Sequence, residues 1–413
     1  MVEHTSSTGG ARPSRRTALK ALGGVAAGGA VMAGSTVAAP SAAAHGHRTA
    51  RIPGDLKPGG ALDRLAADLA AKDHWSGSLL VTHRGRTVLS RSHGFADRRA
   101  GVRNRPGTRF AVASLTKMFT GVAIHQLAQQ GKVDYGEKLG AYLEGIPAEA
   151  AEKVTLHHLL THTSGLGHYY NIPGYPDESR TWSSAEEVFD GTLEYIRRGG
   201  SDLAFEPGTR NSYSNTGYFL LGAIVAAVSD HSYYDYITKR VFAAADMHDS
   251  AFHTKPEWRA DPRIAHPYYK KEGQTEWTDG LEEHPYIGLP SGNSFATCAD
   301  LERFARVLLE NKLMEAPYTQ LMLGAKLPPS GPETRSGGDA PERSPLGFIG
   351  YGSLAILDHG QWIHGHGGGS SIGLSANIDI FPDSDWVVVV LSGYADRASN
   401  PLATLAREVI VQR

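Results

Sequence analysis

The chain has 413 residues, 41% of them hydrophobic and 20% charged, with 41 basic against 43 acidic side chains and a formal net charge of -2. That length needs one large core or two lobes, and the composition excludes a disordered, collagen-like or membrane-spanning protein. No Lys/Arg run lies beyond the first residues, so neither nucleic acid nor an anionic membrane surface is an expected partner. Cys298 is the single cysteine, which rules out an intrachain disulfide framework or a thiolate zinc cluster and reads as a small buried residue.

Ser14-Arg15-Arg16-Thr17-Ala18-Leu19-Lys20 precedes an Ala/Gly-rich stretch from Ala21 to Ala39, and Ala42-Ala43-Ala44 offers a small-residue cleavage site. This resembles a twin-arginine export signal over residues 1–44, followed by a linker over 45–60, and implies a secreted, extracellular protein. The stretch is too weakly apolar for a stable membrane anchor. Ala61–Lys72 places Leu62, Leu65, Ala66 and Leu69 at helical spacing. Gly77–His83 and Thr87–Ser90 flank Arg84-Gly85-Arg86 and read as two strands of a hairpin. Helices are expected over Ser114–Gln130, Ser184–Arg198, Thr216–Ser229, Tyr233–Ala244 and Ala299–Glu310. Leu327–Pro345, rich in Pro, Gly and Ser, reads as an exposed loop. Strand signals follow at Gly350–Leu357, Gln361–His364, Gly373–Ile380 and Trp386–Leu391, then a closing helix at Pro401–Val411. Strands at both ends with helices between predict an α/β fold of the α+β kind. One antiparallel sheet would be completed by both chain ends and flanked by helices, with a mainly helical lobe inserted, so that residues 61–413 form a single domain of two lobes. Sites commonly lie in the cleft between such lobes.

Three sets of residues carry chemistry. In Ser114-Leu115-Thr116-Lys117, positions i and i+3 share a helix face, so Lys117 can reach the Ser114 hydroxyl. A serine hydroxyl is a poor nucleophile until something takes its proton, which a desolvated, neutral lysine can do. The helix N-terminus would offer N–H groups to a developing oxyanion. Alone, the pattern is equally a solvated helix face. In Tyr213-Ser214-Asn215, residues i and i+2 of an extended loop point the same way, so a phenol and an amide could face one cleft. Alone, they are more readily a structural tyrosine and a turn asparagine. In Trp362–Gly369, glycines after a strand leave its edge open for an extended ligand.

In this order and spacing, the three sets resemble the class C β-lactamase, DD-peptidase and family VIII esterase group of serine hydrolases. Val154–Leu166, which contains His162-Thr163-Ser164-Gly165, and Phe205–Gly222 resemble segments of the same group. The resemblance runs from about Leu62 to the C-terminus and implies a β-lactamase/penicillin-binding transpeptidase-like fold. It makes Ser114 the acylated nucleophile, with Lys117 and Tyr213 as a proton-transfer pair whose division of labour stays open and whose titrations are coupled. Asn215 would hold the substrate amide, and His366-Gly367-Gly368 would occupy the strand position that is Lys-Thr-Gly in many β-lactamases. The backbone N–H groups of Ser114 and Gly369 would form the oxyanion hole. A histidine at 366 has a reference pKa near 6.5, so a fixed charge for a substrate carboxylate is weakened there or moved elsewhere, and if its charge matters kcat/KM should titrate between pH 5 and 8.

Other patterns carry less. Gly369-Ser370-Ser371-Ile372-Gly373 matches a nucleophile elbow, but no histidine follows His366 to complete that triad. His158 and His162 lack the glutamate of a zinc-protease motif and read as helix-end and packing residues. His364 and His366 could share a strand face, with no third ligand nominated. The expected protein is therefore an exported, cofactor-free and metal-free serine acyl-enzyme hydrolase. It acts on an amide, ester or lactam carbonyl of a small-molecule or peptide substrate, in the manner of a D-alanyl-D-alanine carboxypeptidase or D-peptidase. The alternatives are a β-lactamase or esterase, an acyltransferase or cyclase with an amine acceptor, and a penicillin-binding sensor that acylates once.

Overall fold

A computed structural model describes residues 51–199, 202–328, 345–395 and 397–412; the expected leader, residues 45–50 of the linker and residues 329–344 of the Pro/Gly/Ser-rich loop lie outside them. Gly77–His83 (β1) and Arg86–His93 (β2) form the expected hairpin, turned at Arg84 and Gly85, whose φ values are 51° and 68°. The C-terminal part supplies Leu346–Ile349 (β3), Leu354–Asp358 (β4), Gln361–Gly369 (β5), Ser375–Phe381 (β6) and Trp386–Ser392 (β7). The order across the sheet is β2-β1-β7-β6-β5-β4-β3, antiparallel throughout. Every residue of β7 is buried, because it is a central strand covered on both faces. Its sequence is therefore an unbroken apolar run with no alternation.

On one face Leu79, Val81, Val388 and Val390 pack against helices Ala61–Ala71 (α1) and Asn400–Val411, through Leu62, Ala66, Leu402 and Ala406. On the other, Ala376, Ile378, Val387 and Val389 meet Thr116–Gln129 (α2) and Cys298–Leu309, and one apolar cluster continues from there into the helical region. Each such Leu, Ile or Val side chain contributes roughly 1.5–3 kcal/mol relative to exposure. Two further helices frame the site, Leu156–Leu160 (α3) and Asn215–Ser229 (α4), the latter capped by the Ser214 side chain accepting from Gly217 N–H at 2.9 Å. Cys298 is buried among apolar side chains, which pushes its thiol pKa up. No helix among the described residues is long and apolar enough to cross a membrane.

Two elements differ from expectation. Gly350–Leu357 is not one strand: residues 350–353 turn between β3 and β4, with Gly352 at φ +88°. That turn presses on α2, where a Cβ at Gly352 would stand 3.0 Å from both Gly121 Cα and Lys117 O, so packing against the helix overrides the strand pattern. The helix expected over Tyr233–Ala244 is a short α-helix, Tyr233–Tyr236, running into a π-helical turn at Ile237–Phe242, which buries Ile237, Val241 and Phe242.

Candidate active site

Ser114 lies on a 3-10 turn, Ala113–Leu115, directly before α2. Ala113 takes a left-handed φ of 46°, a conformation that costs about 1–3 kcal/mol and persists only when its surroundings impose it. The segment 293–294 does so. Ala113 O accepts from Thr116 Oγ1 at 2.8 Å and from Asn293 N–H at 3.1 Å, while Val112 N–H donates to Ser294 O at 2.8 Å.

One turn further on, Lys117 is fully buried. Its Nζ lies 3.2 Å from Ser114 Oγ, 2.7 Å from Asn215 Oδ1 and 2.5 Å from Ser291 O. Ser291 belongs to a loop anchored on α2 by Thr120, whose hydroxyl donates to Pro290 O at 2.7 Å. No carboxylate is among the Lys117 partners, and burial holds its pKa well below the usual lysine value. A neutral amine has two N–H donors and one lone pair. In that form the two acceptors Asn215 Oδ1 and Ser291 O would take the donors and leave the lone pair for the Ser114 hydroxyl hydrogen, whereas the ammonium form donates to all three oxygens.

Tyr213 donates to Ser114 Oγ at 2.8 Å. Tyr213 is 42% exposed as a residue, yet desolvation pushes its phenol above the ordinary range. His162 sets its position from behind. Buried at φ 58°, His162 accepts from Ser214 N–H through Nδ1 at 3.1 Å and lies with ring centroids 4.5 Å from Tyr213 and 5.0 Å from Tyr218. Burial keeps it neutral, well below its usual pKa. His158 caps α3 through Thr155, and α3 ends at Leu160, so His158 and His162 share no helix face.

The glycine strand approaches from the sheet. A Cβ at Gly368 would stand 2.5 Å from Val112 O and 2.9 Å from Ser114 N, so only glycine lets β5 come this close to the Ala113–Leu115 turn. Pairing of β5 with β4 ends at Gly365, whereas pairing with β6 continues to Gly369. Residues 366–369 thus keep one edge free. Gly369 and Ser114 both border the adjoining cleft, of about 560 Å³, as does Asn215. Tyr169, Tyr170 and Tyr175 form one wall, Leu289, Gly292 and Ile372 contribute another, and Arg180 and Glu283 stand on its lining.

His366 departs from expectation. It is buried, its Nδ1 turns onto Gly367 O, it does not line the cleft, and burial lowers its pKa to about 4. It is neutral across pH 5–8, so the expected titration in that window is corrected by desolvation. His364 is likewise buried and lowered to about 4. The elbow-like Gly369–Gly373 joins two strands, β5 and β6, with no helix after it. Sequence reasoning missed Ser291, His168 and Tyr170, which touch Lys117 or Asn215 from loops with no motif of their own.

A family model described as Beta-lactamase matches residues 62–410. Penicillin-binding protein 4* of Bacillus subtilis is 30% identical over 260 residues, covering 60% of this chain and 56% of that protein. The chain spans about half the length of the curated relatives it matches. Among solved structures, a penicillin binding protein from Bacillus halodurans superposes with a TM-score of 0.70 at 26% identity, covering 82% of this chain and 98% of that one. D-amino acid amidase from Ochrobactrum anthropi shares the fold, with a TM-score of 0.67 at 22% identity over 85% of this chain and 99% of that one.

Proposed function

Because the chain belongs to the beta-lactamase family, we propose that it is a serine acyl-enzyme hydrolase with Ser114 as nucleophile, Lys117 as base and Tyr213 as proton carrier. The arrangement around Lys117 carries this reading: a buried amine with its pKa held well below the usual value, bonded to Asn215 Oδ1 and Ser291 O and 3.2 Å from Ser114 Oγ, so that losing its proton would leave a lone pair facing Ser114. Lys117 takes the Ser114 proton as Oγ attacks the carbonyl. The oxyanion meets the N–H groups of Ser114 and Gly369, which act as fixed dipoles. The proton then passes through Tyr213, held as a phenol by its raised pKa, to the leaving amine or alkoxide. Water attacks the resulting ester, and the same groups return the serine. The free edge at Gly367–Gly369 supports pairing with an extended substrate backbone.

The finer reading is a D-alanyl-D-alanine carboxypeptidase or D-peptidase that also binds penicillin, supported by relatives named as penicillin-binding proteins. With His366 neutral, Arg180 is the permanent cation among the described residues lining the cleft, and a substrate carboxylate would turn to it. The twin-arginine-like leader supports action outside the cytoplasm. The test is incubation of the purified protein with a fluorescent penicillin, followed by intact mass. A lasting adduct at Ser114 fits a penicillin-binding peptidase, and hydrolysed penicillin without an adduct fits a β-lactamase. Ser114→Ala should abolish both with the fold intact, and undiminished activity in that variant would sink the mechanism.

A further inference from the structure

Asn215 is more fully engaged inside the protein than its spacing suggests. Its Oδ1 accepts from Lys117 at 2.7 Å, and its Nδ2 meets His168 Nδ1 at 3.3 Å and the Tyr170 hydroxyl oxygen at 3.1 Å. Its backbone N–H also donates to His168 Nδ1, at 3.3 Å. A side-chain amide offers two hydrogens. One goes to the Tyr170 oxygen, and the other shares the single Nδ1 lone pair of His168 with the Asn215 backbone N–H. A ligand that claimed the first would break a bond that holds Lys117's own partner in place.

Tyr170 stands differently. It lines the cleft, its ring is 42% exposed, and it lies parallel to the His168 imidazole with centroids 5.0 Å apart and planes at 6°. Its oxygen accepts from Asn215, while its own O–H hydrogen meets no acceptor among the described residues. A hydroxyl whose oxygen already accepts an N–H bond is polarised into a better donor. Stacking and the Asn215 bond hold the phenol in place before any ligand arrives, so little ordering remains to be done on binding.

We propose that Tyr170 is the specificity residue for the acyl side of the substrate, its hydroxyl donating to a carbonyl oxygen along the acyl chain beyond the scissile carbonyl. Asn215 then acts as a positioning residue for Lys117 and Tyr170. The substrate class this selects is the N-acyl aminoacyl or peptide donor over the bare acyl ester. The proposal rests on Ser114 being the nucleophile of this cleft.

Two p-nitrophenyl esters with the same leaving group test it: the ester of N-acetyl-D-alanine, which carries the extra carbonyl, and the ester of propionic acid, which does not. In the full chain, Tyr170→Phe should lower kcat/KM for the first by roughly 2- to 10-fold, the range for one lost hydrogen bond, chiefly through KM. The propionyl ester should lose clearly less, since the change reaches it only through the lost Asn215–Tyr170 bond, and the thermal midpoint should be unchanged. Equal losses on both esters would make Tyr170 merely structural, and a gain on the N-acetyl ester would make it a block over Asn215. Either result overturns the proposal, as does no change on either ester, or a wild-type enzyme that releases p-nitrophenol from neither. Ser114→Ala run in parallel separates the two levels: hydrolysis persisting there indicts the nucleophile, whereas a silent Tyr170→Phe with a dead Ser114→Ala indicts Tyr170 alone.

Discussion

Gly368→Ala is the smallest change that should disturb the nucleophile from the sheet side. The added Cβ would lie 2.5 Å from Val112 O, 2.9 Å from Ser114 N and 3.1 Å from Ala113 Cβ, and the first two are backbone atoms that no rotamer change can move. Gly367 is the internal control, since a Cβ there meets nothing nearer than 3.9 Å. Neither glycine sits at positive φ, so the contrast is steric and not conformational. Relief at Gly368 requires β5 and the Ala113–Leu115 turn to part by several tenths of an ångström. Overpacking of this kind costs about 1–3 kcal/mol. The turn is pinned on its other side by the bonds from Asn293 and Thr116, so part of the shift must appear in the 3.2 Å and 2.8 Å contacts of Ser114 with Lys117 and Tyr213. Displacement of a reacting group by ~1 Å can cost on the order of 100-fold in rate. Urea unfolding would read the first effect, and the rate of covalent labelling by a serine-directed fluorophosphonate the second. Gly367→Ala should stay within about 0.5 kcal/mol of the parent and label normally. A Gly368→Ala variant matching the parent in both measurements would refute the steric argument.

Protonation gives two further expectations. Lys117 must be neutral to act as base, and its pKa is held well below the usual value, so acylation should fall on an acid limb set by Lys117. His366→Gln should leave that limb in place, because His366 is already neutral above about pH 4; loss of the limb in the variant would make His366 the titrating group. The second concerns stability. His125, His284, His364 and His366 are all buried with pKa values lowered to about 4 from a reference of 6.5. Between those values the unfolded chain binds more protons than the folded one, so stability is full above about pH 6.5, falls as the pH drops, and stops falling on their account below about 4. Each can contribute at most about 1.4 kcal/mol per pH unit. Urea midpoints at pH 7.5, 6 and 5 would check this, and a flat series would show these histidines to be hydrated or paired in the folded state.

What was legible in the sequence follows from how far apart the interacting residues lie. Ser114 and Lys117 are one helical turn apart, and Tyr213 and Asn215 two residues apart in extended chain, so local geometry alone aims each pair at one place. The sheet was legible for a related reason: β7 is an apolar run bounded by polar turns, and its neighbour β6 alternates Asn377 and Asp379 with Ala376, Ile378 and Ile380 at the period of a strand. The turn at 350–353 was not, because its cause is the surface of α2, more than 200 residues earlier in the chain. The same holds at the site. Spacing pointed Asn215 at the cleft but could not show that its amide was already committed to Lys117, His168 and Tyr170. Residue type gave His366 a titration near neutrality, and only the packing that buries it moves that titration away.

The division has a chemical consequence. In the proposed mechanism the groups that hold and move the proton are set by short-range spacing, whereas those that would meet the rest of the substrate come from the cleft segments Tyr169–Arg180 on one side and Glu283–Asn293 on the other. These loops touch the proton-transfer groups at few points, chiefly Ser291 O on Lys117 and the Tyr170 hydroxyl on Asn215. On the proposed mechanism, substitutions elsewhere in them should change which acyl donor is accepted while leaving the Lys117 environment intact. Substitutions that displace Ser291 should do the reverse, because a lost acceptor there frees a donor hydrogen on Nζ and turns the lone pair away from the serine.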